Sequence, residues 1–410
     1  MDALAEIEGL TAHHGRLAGT DAERRAARHL VGRLRDQGRD AGTEAISVHP
    51  NYALTHLIHA VLAIGGGLLA TSIPLAGTLV VLATAVSAFG DLTGSFHIVR
   101  RITGRRASQN VVSREETGKP GTLVLVAHYD AARSGAVFKP RARARRERIG
   151  RALLRRPIGP FEPFFWSIMA VLICCALRLL GVGGTALQVA QFVPTIVLIV
   201  AAPLLADIAL SDVVAGASDN ASGVATVLRL ADRYGERLDD FDVWVLFTGA
   251  QESLQLGMRA FLRRHRKTLD RSRTVFVCVD DVGGTGGIRY ATKEGFVLAY
   301  AYHPDLVAMC DQIRAEDEAD EHYYDAAPLN TRTATDAHRA RVAGFPAISI
   351  GCAETPHYHS PTDTPENVDE DALERAYDFC SELVELVDER IGPRLEEPER
   401  QNGPPPQAAR

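Results

Sequence analysis

Two long apolar segments place the strongest constraint on how this chain can fold. The first, 60–90, has no charged residue, and the second, 163–206, has only Arg178. A helix needs about 20 apolar residues to cross a bilayer, so each segment is too long for one crossing and suits two. Ser72-Ile73-Pro74 and Gly181-Val182-Gly183-Gly184 supply the turns. We therefore predict two transmembrane hairpins, over 53–92 and 162–210. The alternative is a pair of hairpins buried in a soluble protein.

The stretches outside these hairpins are predicted to form one discontinuous domain from 1–50, 94–161 and 211–393. Since this domain must lie on one side of the membrane, each hairpin has to cross an even number of times. Arginines crowd beside the hairpins, at 100–106 and 139–156, and such flanks favour the cytoplasmic side. We expect an integral protein of the cell inner membrane, with the lipid bilayer as a partner and the domain in the cytoplasm.

Charge and composition narrow the class of protein further. The net charge of -6 argues against a nucleic-acid partner. The six cysteines lack the spacing of a disulfide framework, and the first 50 residues contain no secretory signal. Residues 394–410 are rich in Pro, Glu and Gln and are predicted to form a disordered tail.

Short apolar runs of β character alternate with helical patterns in the rest of the chain. The predicted strands cover 122–127, 242–247, 275–279 and 345–350. An amphipathic helix is predicted directly after the small-residue stretch Gly216–Gly223. This alternation predicts an α/β fold with a mixed, mostly parallel sheet and helices on both faces.

Five polar side chains lie at or after the ends of these elements: His128, Asp219, Glu252, Asp280 and His359. Functional groups collect beyond the carboxyl ends of strands in an open sheet, so these side chains are expected to converge. Two imidazoles and three carboxylates suit two divalent metal ions. Zinc is the expected ion, and manganese or cobalt is also compatible. Asp130 is expected to orient the His128 ring. Each residue, taken singly, also has an ordinary role as a core histidine, a cap or a turn residue.

Five motifs in the same order resemble the co-catalytic zinc aminopeptidases of the S/Y type, the twenty-eighth metallopeptidase family. They are Ala127-His128-Tyr129-Asp130, Gly216–Gly223, Ala250-Gln251-Glu252 with Gly257, Val279-Asp280-Asp281-Val282-Gly283, and Tyr358-His359-Ser360-Pro361 with Asp363. The resemblance covers most of 10–50, 107–138 and 211–392, and the hairpins are additions to the soluble fold of the family.

The resemblance implies a zinc peptidase-like fold in which Asp219 bridges the two metal ions. It assigns His128 and Asp280 to one metal ion, and Glu252 and His359 to the other. Tyr358 matches a tyrosine that stabilises the tetrahedral intermediate in some relatives, as an oxyanion donor.

Gln251 departs from the family pattern, which has a glutamate here as the general base toward water. An amide accepts no proton at neutral pH but still orients water by hydrogen bonding. Losing general-base catalysis costs about 10² to 10⁴ in rate. Asp281 and Glu354 are candidate replacement bases because each lies near a predicted ligand in sequence. The predicted catalytic residues are Gln251, Tyr358 and Asp130.

The sequence predicts a membrane-anchored, cytoplasm-facing di-zinc aminopeptidase that acts on peptides with a free N-terminus and is slowed by Gln251. The alternative is a catalytically silent pseudopeptidase that keeps its metals and binds a peptide or a membrane partner. A transporter is disfavoured, because the spans carry few ionisable residues for an ion path. Side-chain preference and oligomeric state are left open.

Overall fold

A computed structural model describes residues 2–320 and 322–396. The helices are α1 (Ala3–Thr11), α2 (Asp21–Asp36), α3 (Tyr52–Leu69), α4 (Pro74–Leu92), α5 (Pro140–Leu154), α6 (Glu162–Leu179), α7 (Thr185–Leu210), α8 (Gly223–Tyr234), α9 (Leu256–Arg264), α10 (Pro304–Ala319), α11 (Asp336–Val342) and α12 (Glu370–Glu396). The strands are β1 (Ala41–Val48), β2 (Arg106–Ser113), β3 (Gly121–His128), β4 (Phe241–Thr248), β5 (Thr274–Val279), β6 (Thr285–Glu294), β7 (Tyr300–Ala301), β8 (Ala327–Asn330) and β9 (Ala347–Glu354).

The strands form one mixed sheet in the order β1-β2-β4-β3-β5-β9-β6-β7, with β8 also pairing with β6. Its centre, β4-β3-β5-β9, is parallel, whereas β1, β2 and β7 pair antiparallel toward the edges. The predicted mixed α/β fold is confirmed. Parallel central strands are covered on both faces, which explains why β3 is a continuous apolar run rather than an alternating one.

The register of the central strands sets the position of the predicted site. His128 at the end of β3 pairs with Thr248 at the end of β4, and β5 ends at Val279 on the other side of β3. These three strands run in the same direction and end together. The residues that follow them, including Asp130, Glu252 and Asp280, therefore emerge at one edge of the sheet.

Four helices of the described chain are long and apolar enough to cross a membrane, namely α3, α4, α6 and α7. They coincide with the two predicted hairpins, except that α3 begins one residue earlier, at Tyr52. Large apolar side chains are exposed on their outer faces, among them Leu68, Phe192 and Ile199. Apolar surface of this extent is typical of a membrane contact. The inner faces pack against one another and against Leu254 and Phe296 of the α/β part.

A buried ion pair connects the first hairpin to the α/β part. Arg100 donates to both carboxylate oxygens of Asp91 at the end of α4, at 2.6 and 2.8 Å. The same guanidinium donates to the carbonyl of Ser253 at 3.0 Å. Removing one partner of a buried pair costs about 3–5 kcal/mol, because the other charge stays buried and unpaired. Hairpin and α/β part are thus held together directly beside Glu252.

Two expectations about the outer parts of the chain are corrected. The predicted tail starts too early, since residues 394–396 continue α12, where Leu395 packs against the main core four residues after Ile391. The rest of that tail lies outside the described residues. In addition, the sequence did not predict α5, α10, β2 or β6. The sequence indicates only a membrane flank for the arginines of α5, although they form a regular helix.

Candidate metal centre

The turn that carries Asp219 is held from several sides. Gly216 has a φ of +66°, a conformation that suits glycine. The carboxylate of Asp363 accepts hydrogen bonds from the backbone N–H groups of Ser218 and Asp219, at 2.7 and 3.3 Å. The buried guanidinium of Arg16 donates to the carbonyl of Gly216 at 2.7 Å. These contacts fix the backbone and leave the Asp219 side chain free to face the sheet edge.

The Asp219 carboxylate lies between two imidazoles. Its Oδ1 is 3.1 Å from His128 Nε2, and its Oδ2 is 3.1 Å from His359 Nε2. Asp280 Oδ1 lies 3.3 Å from the same nitrogen of His128. Glu252 Oε1 lies 3.3 Å from the same nitrogen of His359. The five predicted side chains come together as two triads that share Asp219.

This donor set fits divalent metal ions. Within the described chain, Asp219 Oδ2 and His359 Nε2 are buried without a hydrogen-bond partner, even though they face each other. An unsatisfied buried polar atom costs about 1–3 kcal/mol, which a bound cation would offset. His128, Asp219 and Glu252 also offer ligand atoms within 4.8 Å of one another. Imidazole and carboxylate together are typical zinc ligands.

Electrostatics hold protons in the metal-free site. Burial alone lowers the pKa of His359, but the negative charges of Glu252 and Asp219 outweigh burial and raise this pKa to about 10. Burial also lowers the pKa of His128, but the carboxylates of Asp280, Asp130 and Asp219 together outweigh burial and raise this pKa well above its usual value. A metal ion binds neutral imidazole, so metal binding must displace these protons.

Asp130 organises the residues around the cluster. Its Oδ1 accepts from the backbone N–H of Gln251 at 3.0 Å, and its Oδ2 accepts from that of Glu252 at 3.2 Å. His128 Nδ1 lies 3.2 Å from the carbonyl oxygen of Asp130 and 3.6 Å from Oδ1. Asp130, which follows β3, thus positions both a histidine and the turn after β4.

Tyr358 lies directly against the cluster of two histidines and three carboxylates. Its ring stacks on that of His359, with the centroids 3.9 Å apart and the planes at 14°. Phe138 approaches the His359 ring edge-on at 4.4 Å. Burial and the neighbouring carboxylates raise the pKa of the Tyr358 hydroxyl well above its usual value. The hydroxyl therefore remains a hydrogen-bond donor at neutral pH.

The two candidate replacement bases occupy different places. Asp281 accepts a hydrogen bond from the Ser218 hydroxyl at 2.7 Å and faces a cavity that contains Asp219 and Asp280. Glu354 is exposed and lies near the Thr285 hydroxyl, at 3.4 Å, outside the lining of the cavities at the cluster. Gln251 is buried and lines both of those cavities.

Two cavities meet at the cluster. The apolar cavity, about 160 Å³, runs between the cluster and the second hairpin. Its wall includes Phe138, Phe161, Phe164, Leu204, Leu205 and Ile208. The polar cavity, about 330 Å³, contains Asp219, Glu252 and Asp280 together with four arginines, Arg143, Arg146, Arg289 and Arg332. Gln251, Glu252 and Tyr358 line both.

Sequence reasoning did not assign roles to Arg16, Phe138 or Asp363. Asp363 was part of a recognised motif, so its position was visible although its contact with the Asp219 turn was not. Arg16 and Phe138 carry no local signal, because their contacts join residues that are distant in the chain.

Comparison with known families gives one match. The model described as peptidase family M28 matches residues 200–384. This range contains Asp219, Glu252, Asp280 and His359, whereas His128 precedes it. The resemblance predicted from the sequence motifs is thereby confirmed. A comparison with curated protein sequences finds no match.

Several solved structures share the fold along nearly the whole chain. A leucine aminopeptidase precursor from Bacteroides thetaiotaomicron is 14% identical, with a TM-score of 0.51, covering 93% of this chain and 95% of the other. A Zn-dependent exopeptidase from Parabacteroides distasonis is 14% identical, with a TM-score of 0.51 and coverages of 94% and 96%. The glutaminyl cyclase of Porphyromonas gingivalis is 14% identical, with a TM-score of 0.53 and coverages of 93% and 96%.

Proposed function

Because the chain matches peptidase family M28 and shares the fold of aminopeptidases, we propose that it is a membrane-anchored, di-zinc aminopeptidase. The observation that carries the proposal is the position of Asp219, with one carboxylate oxygen facing each imidazole. A carboxylate that bridges two ions is the arrangement that a two-metal hydrolytic site requires. The reaction adds water across the first peptide bond and releases the N-terminal amino acid and a shortened peptide.

The proposed roles of the chain's own groups follow from their positions. Bound divalent ions supply Lewis acidity toward a carbonyl and make water more acidic. Gln251 orients water through its amide without accepting a proton. The Tyr358 hydroxyl donates to the oxygen that becomes negative in the transition state. Asp130 keeps the His128 ring and the Glu252 turn in place.

The apolar cavity supports an apolar N-terminal residue as the preferred substrate. A cavity of about 150 Å³ binds a benzene-sized group, and this one is of that size. The charged side chains among its lining residues, Glu252 and His359, belong to the cluster. The carboxylates of the cluster lie at its inner end, where they attract the α-ammonium group of a peptide.

We assign the domain to the cytoplasmic side of the cell inner membrane, with four helices crossing the bilayer. The arginines at 100–106 and 139–156, next to the hairpins, support this orientation. The two short connections, near Ser72 and Gly183, then face the opposite side.

Gln251 favours a second candidate, a silent module that binds metal and peptide without hydrolysis. A side chain that accepts no proton removes the usual general base, and a cost of about 10² to 10⁴ in rate is expected. The structural similarity to glutaminyl cyclases adds a third candidate, in which an N-terminal glutamine closes on itself and releases ammonia.

One experiment separates these candidates. Zinc-loaded full-length protein in detergent is incubated with a peptide library that includes peptides with N-terminal glutamine, beside a Gln251→Glu variant, and the products are identified by mass spectrometry. We expect slow, chelator-sensitive removal of N-terminal residues by the natural chain and faster removal by the variant, by about 10² to 10⁴.

The other outcomes point elsewhere. An inert natural chain beside an active variant would support the silent module. Loss of ammonia without loss of a residue would support cyclisation. If neither protein changes any peptide although both bind zinc, the aminopeptidase proposal is wrong.

A further inference from the structure

The arginines of α5 lie beside the cluster in a way that the proposed hydrolysis does not require. Arg143 donates to the carbonyl and hydroxyl oxygens of Thr355, the latter at 2.8 Å. Its guanidinium lies 5.1 Å from the centre of the Tyr358 ring. Since Tyr358 stacks on His359, the Tyr358 ring lies between Arg143 and the cluster.

Arg146 faces the same cavity one helical turn later. Its Nε is buried and has no hydrogen-bond partner within the described chain. Burial lowers the pKa of this guanidinium, as expected for a cation that lacks a close partner. Across the polar cavity, Arg332 Nε is also buried without a hydrogen bond, and it lies 3.8 Å from Glu162. The cavity thus holds cationic donors that the described chain does not use.

The carboxylates near these arginines are occupied elsewhere. Glu147, the neighbour of Arg146, accepts from Arg151 at 3.2 Å. Glu294, across the cavity, accepts from Tyr302 and Thr335, and burial raises its pKa to about 7. Neither Arg143 nor Arg146 has an ion-pair partner within 4.0 Å among residues 2–320 and 322–396. These two guanidinium groups can therefore bind an anionic group in the polar cavity.

We propose that Arg143 and Arg146 bind a carboxylate of the substrate that lies beyond the scissile bond. This inference rests on the proposed aminopeptidase function and names its substrate class: short peptides with a free C-terminus, or peptides with Asp or Glu after the scissile bond. The guanidinium group suits carboxylates because it offers paired donors in one plane. The apolar cavity then takes the N-terminal side chain, and the polar cavity takes the remainder of the peptide.

The helix that carries Arg143 and Arg146 lies outside the range that the family model matches. α5 lies between β3 and the second hairpin, outside residues 200–384. Its outer face carries further arginines, including the exposed Arg145 and Arg148. These provide matched controls with the same charge on the same helix.

The test uses zinc-loaded full-length protein in an uncharged detergent and four peptides that differ in one group. They are Leu-Ala-Ala with a free C-terminus, its C-terminal amide, Leu-Glu-Ala amide and Leu-Gln-Ala amide. Dissociation constants are measured by calorimetry, and kcat/KM is measured wherever turnover occurs. The variants are Arg146→Gln, Arg143→Gln and, as the control, Arg145→Gln.

In at least one of the two pairs, we expect the charged peptide to bind roughly 10-fold or more tighter than its neutral counterpart. Arg146→Gln should remove this preference and leave the affinity for the neutral amides unchanged, whereas Arg145→Gln should keep it. The free-acid pair tests the C-terminal carboxylate, and the Glu and Gln pair tests an acidic side chain.

Equal binding of charged and neutral peptides by the natural chain would overturn the inference, even if every peptide is hydrolysed. A preference that survives in both Arg143→Gln and Arg146→Gln would do the same. Binding of the charged peptides without any turnover would leave the carboxylate site intact and count only against the aminopeptidase function. Loss of affinity for anionic-lipid vesicles in Arg146→Gln, with no effect on peptides, would instead assign the arginines to the membrane surface.

Discussion

Asp130 Oδ1 accepts a hydrogen bond from the backbone N–H of Gln251, so the end of β3 is tied to the loop that carries Gln251 and Glu252. Its second oxygen binds the next backbone N–H, that of Glu252, in the same way. A single residue therefore positions one predicted histidine ligand, through its backbone carbonyl, and one predicted glutamate ligand, through its carboxylate. It acts through the backbone rather than by touching a substrate.

Replacing this carboxylate is expected to weaken metal binding. In Asp130→Ala, the backbone N–H groups of Gln251 and Glu252 lose their acceptor, and His128 Nδ1 loses the carboxylate oxygen that lies 3.6 Å away. Zinc affinity should fall by about 10- to 100-fold, as is usual when groups that support metal ligands are removed. Competition with a chromogenic chelator measures this affinity. Glu354→Gln is the control, because Glu354 is exposed and lies outside both cavities, and an unchanged affinity in Asp130→Ala would contradict the role.

Tyr358→Phe tests the oxyanion role separately from packing. The substitution keeps the ring that stacks on His359 and removes only the hydroxyl. We expect kcat to fall by about 10² to 10³ with little change in KM, because the hydroxyl acts in the transition state. The comparison is made in the Gln251→Glu background, where turnover is expected to be faster. A rise in KM at constant kcat would show that the hydroxyl binds the ground state instead.

Glu23 is expected to make the stability of the metal-free protein depend on pH. It accepts from the Gly19 N–H at 2.7 Å and from the Ser108 hydroxyl, and burial, followed by the charge of Asp130, raises its pKa from 4.5 to about 8. Between these values the folded state keeps a proton that the unfolded state has lost. This contribution to stability is fully present below about pH 4.5 and is lost as pH rises toward 8.

The measurement is the unfolding free energy between pH 5.5 and 8.5 in the presence of a chelator. Glu23→Gln should flatten its decrease with pH, which for one group is about 1.4 kcal/mol per pH unit at most. Glu8→Gln on the exposed face of α1 should leave the slope unchanged. A slope that is equally steep in Glu23→Gln would assign the effect to other buried acids.

The proposed orientation in the membrane is open to cysteine labelling. The six natural cysteines are buried, so they give little background. Ser72→Cys and Gly183→Cys place a thiol in each short connection, and a side chain at Gly183 meets open space. A membrane-impermeant maleimide should label both in intact cells, and Lys267→Cys only after permeabilisation. Labelling of Lys267→Cys alone in intact cells would reverse the orientation, and labelling of all three positions in intact cells would contradict the crossings.

Some parts of this molecule could be predicted from sequence because their signals are local. Long segments without charged residues predict the two hairpins, and apolar runs predict the central strands. The five predicted ligands were placed by motifs at strand ends. By contrast, the contacts of Arg16 with Gly216 and of Arg100 with Ser253 join residues far apart in the chain. The helix α5 is not predicted for a different reason. Its arginines are also explained by a position beside the membrane, so they do not by themselves indicate a helix.

Helices α6 and α7 form part of the wall of the apolar cavity. A truncated protein without them would not reproduce this cavity. A soluble fragment made by joining the α/β segments would retain every predicted zinc ligand, since none lies in a hairpin. It would nevertheless lack Phe164, Leu205 and Ile208, and Tyr358 and His359 would face water. Inhibitors selected against such a fragment would fit a cavity that lacks part of its apolar wall. The intact chain in a lipid environment is therefore the appropriate target for ligand screening.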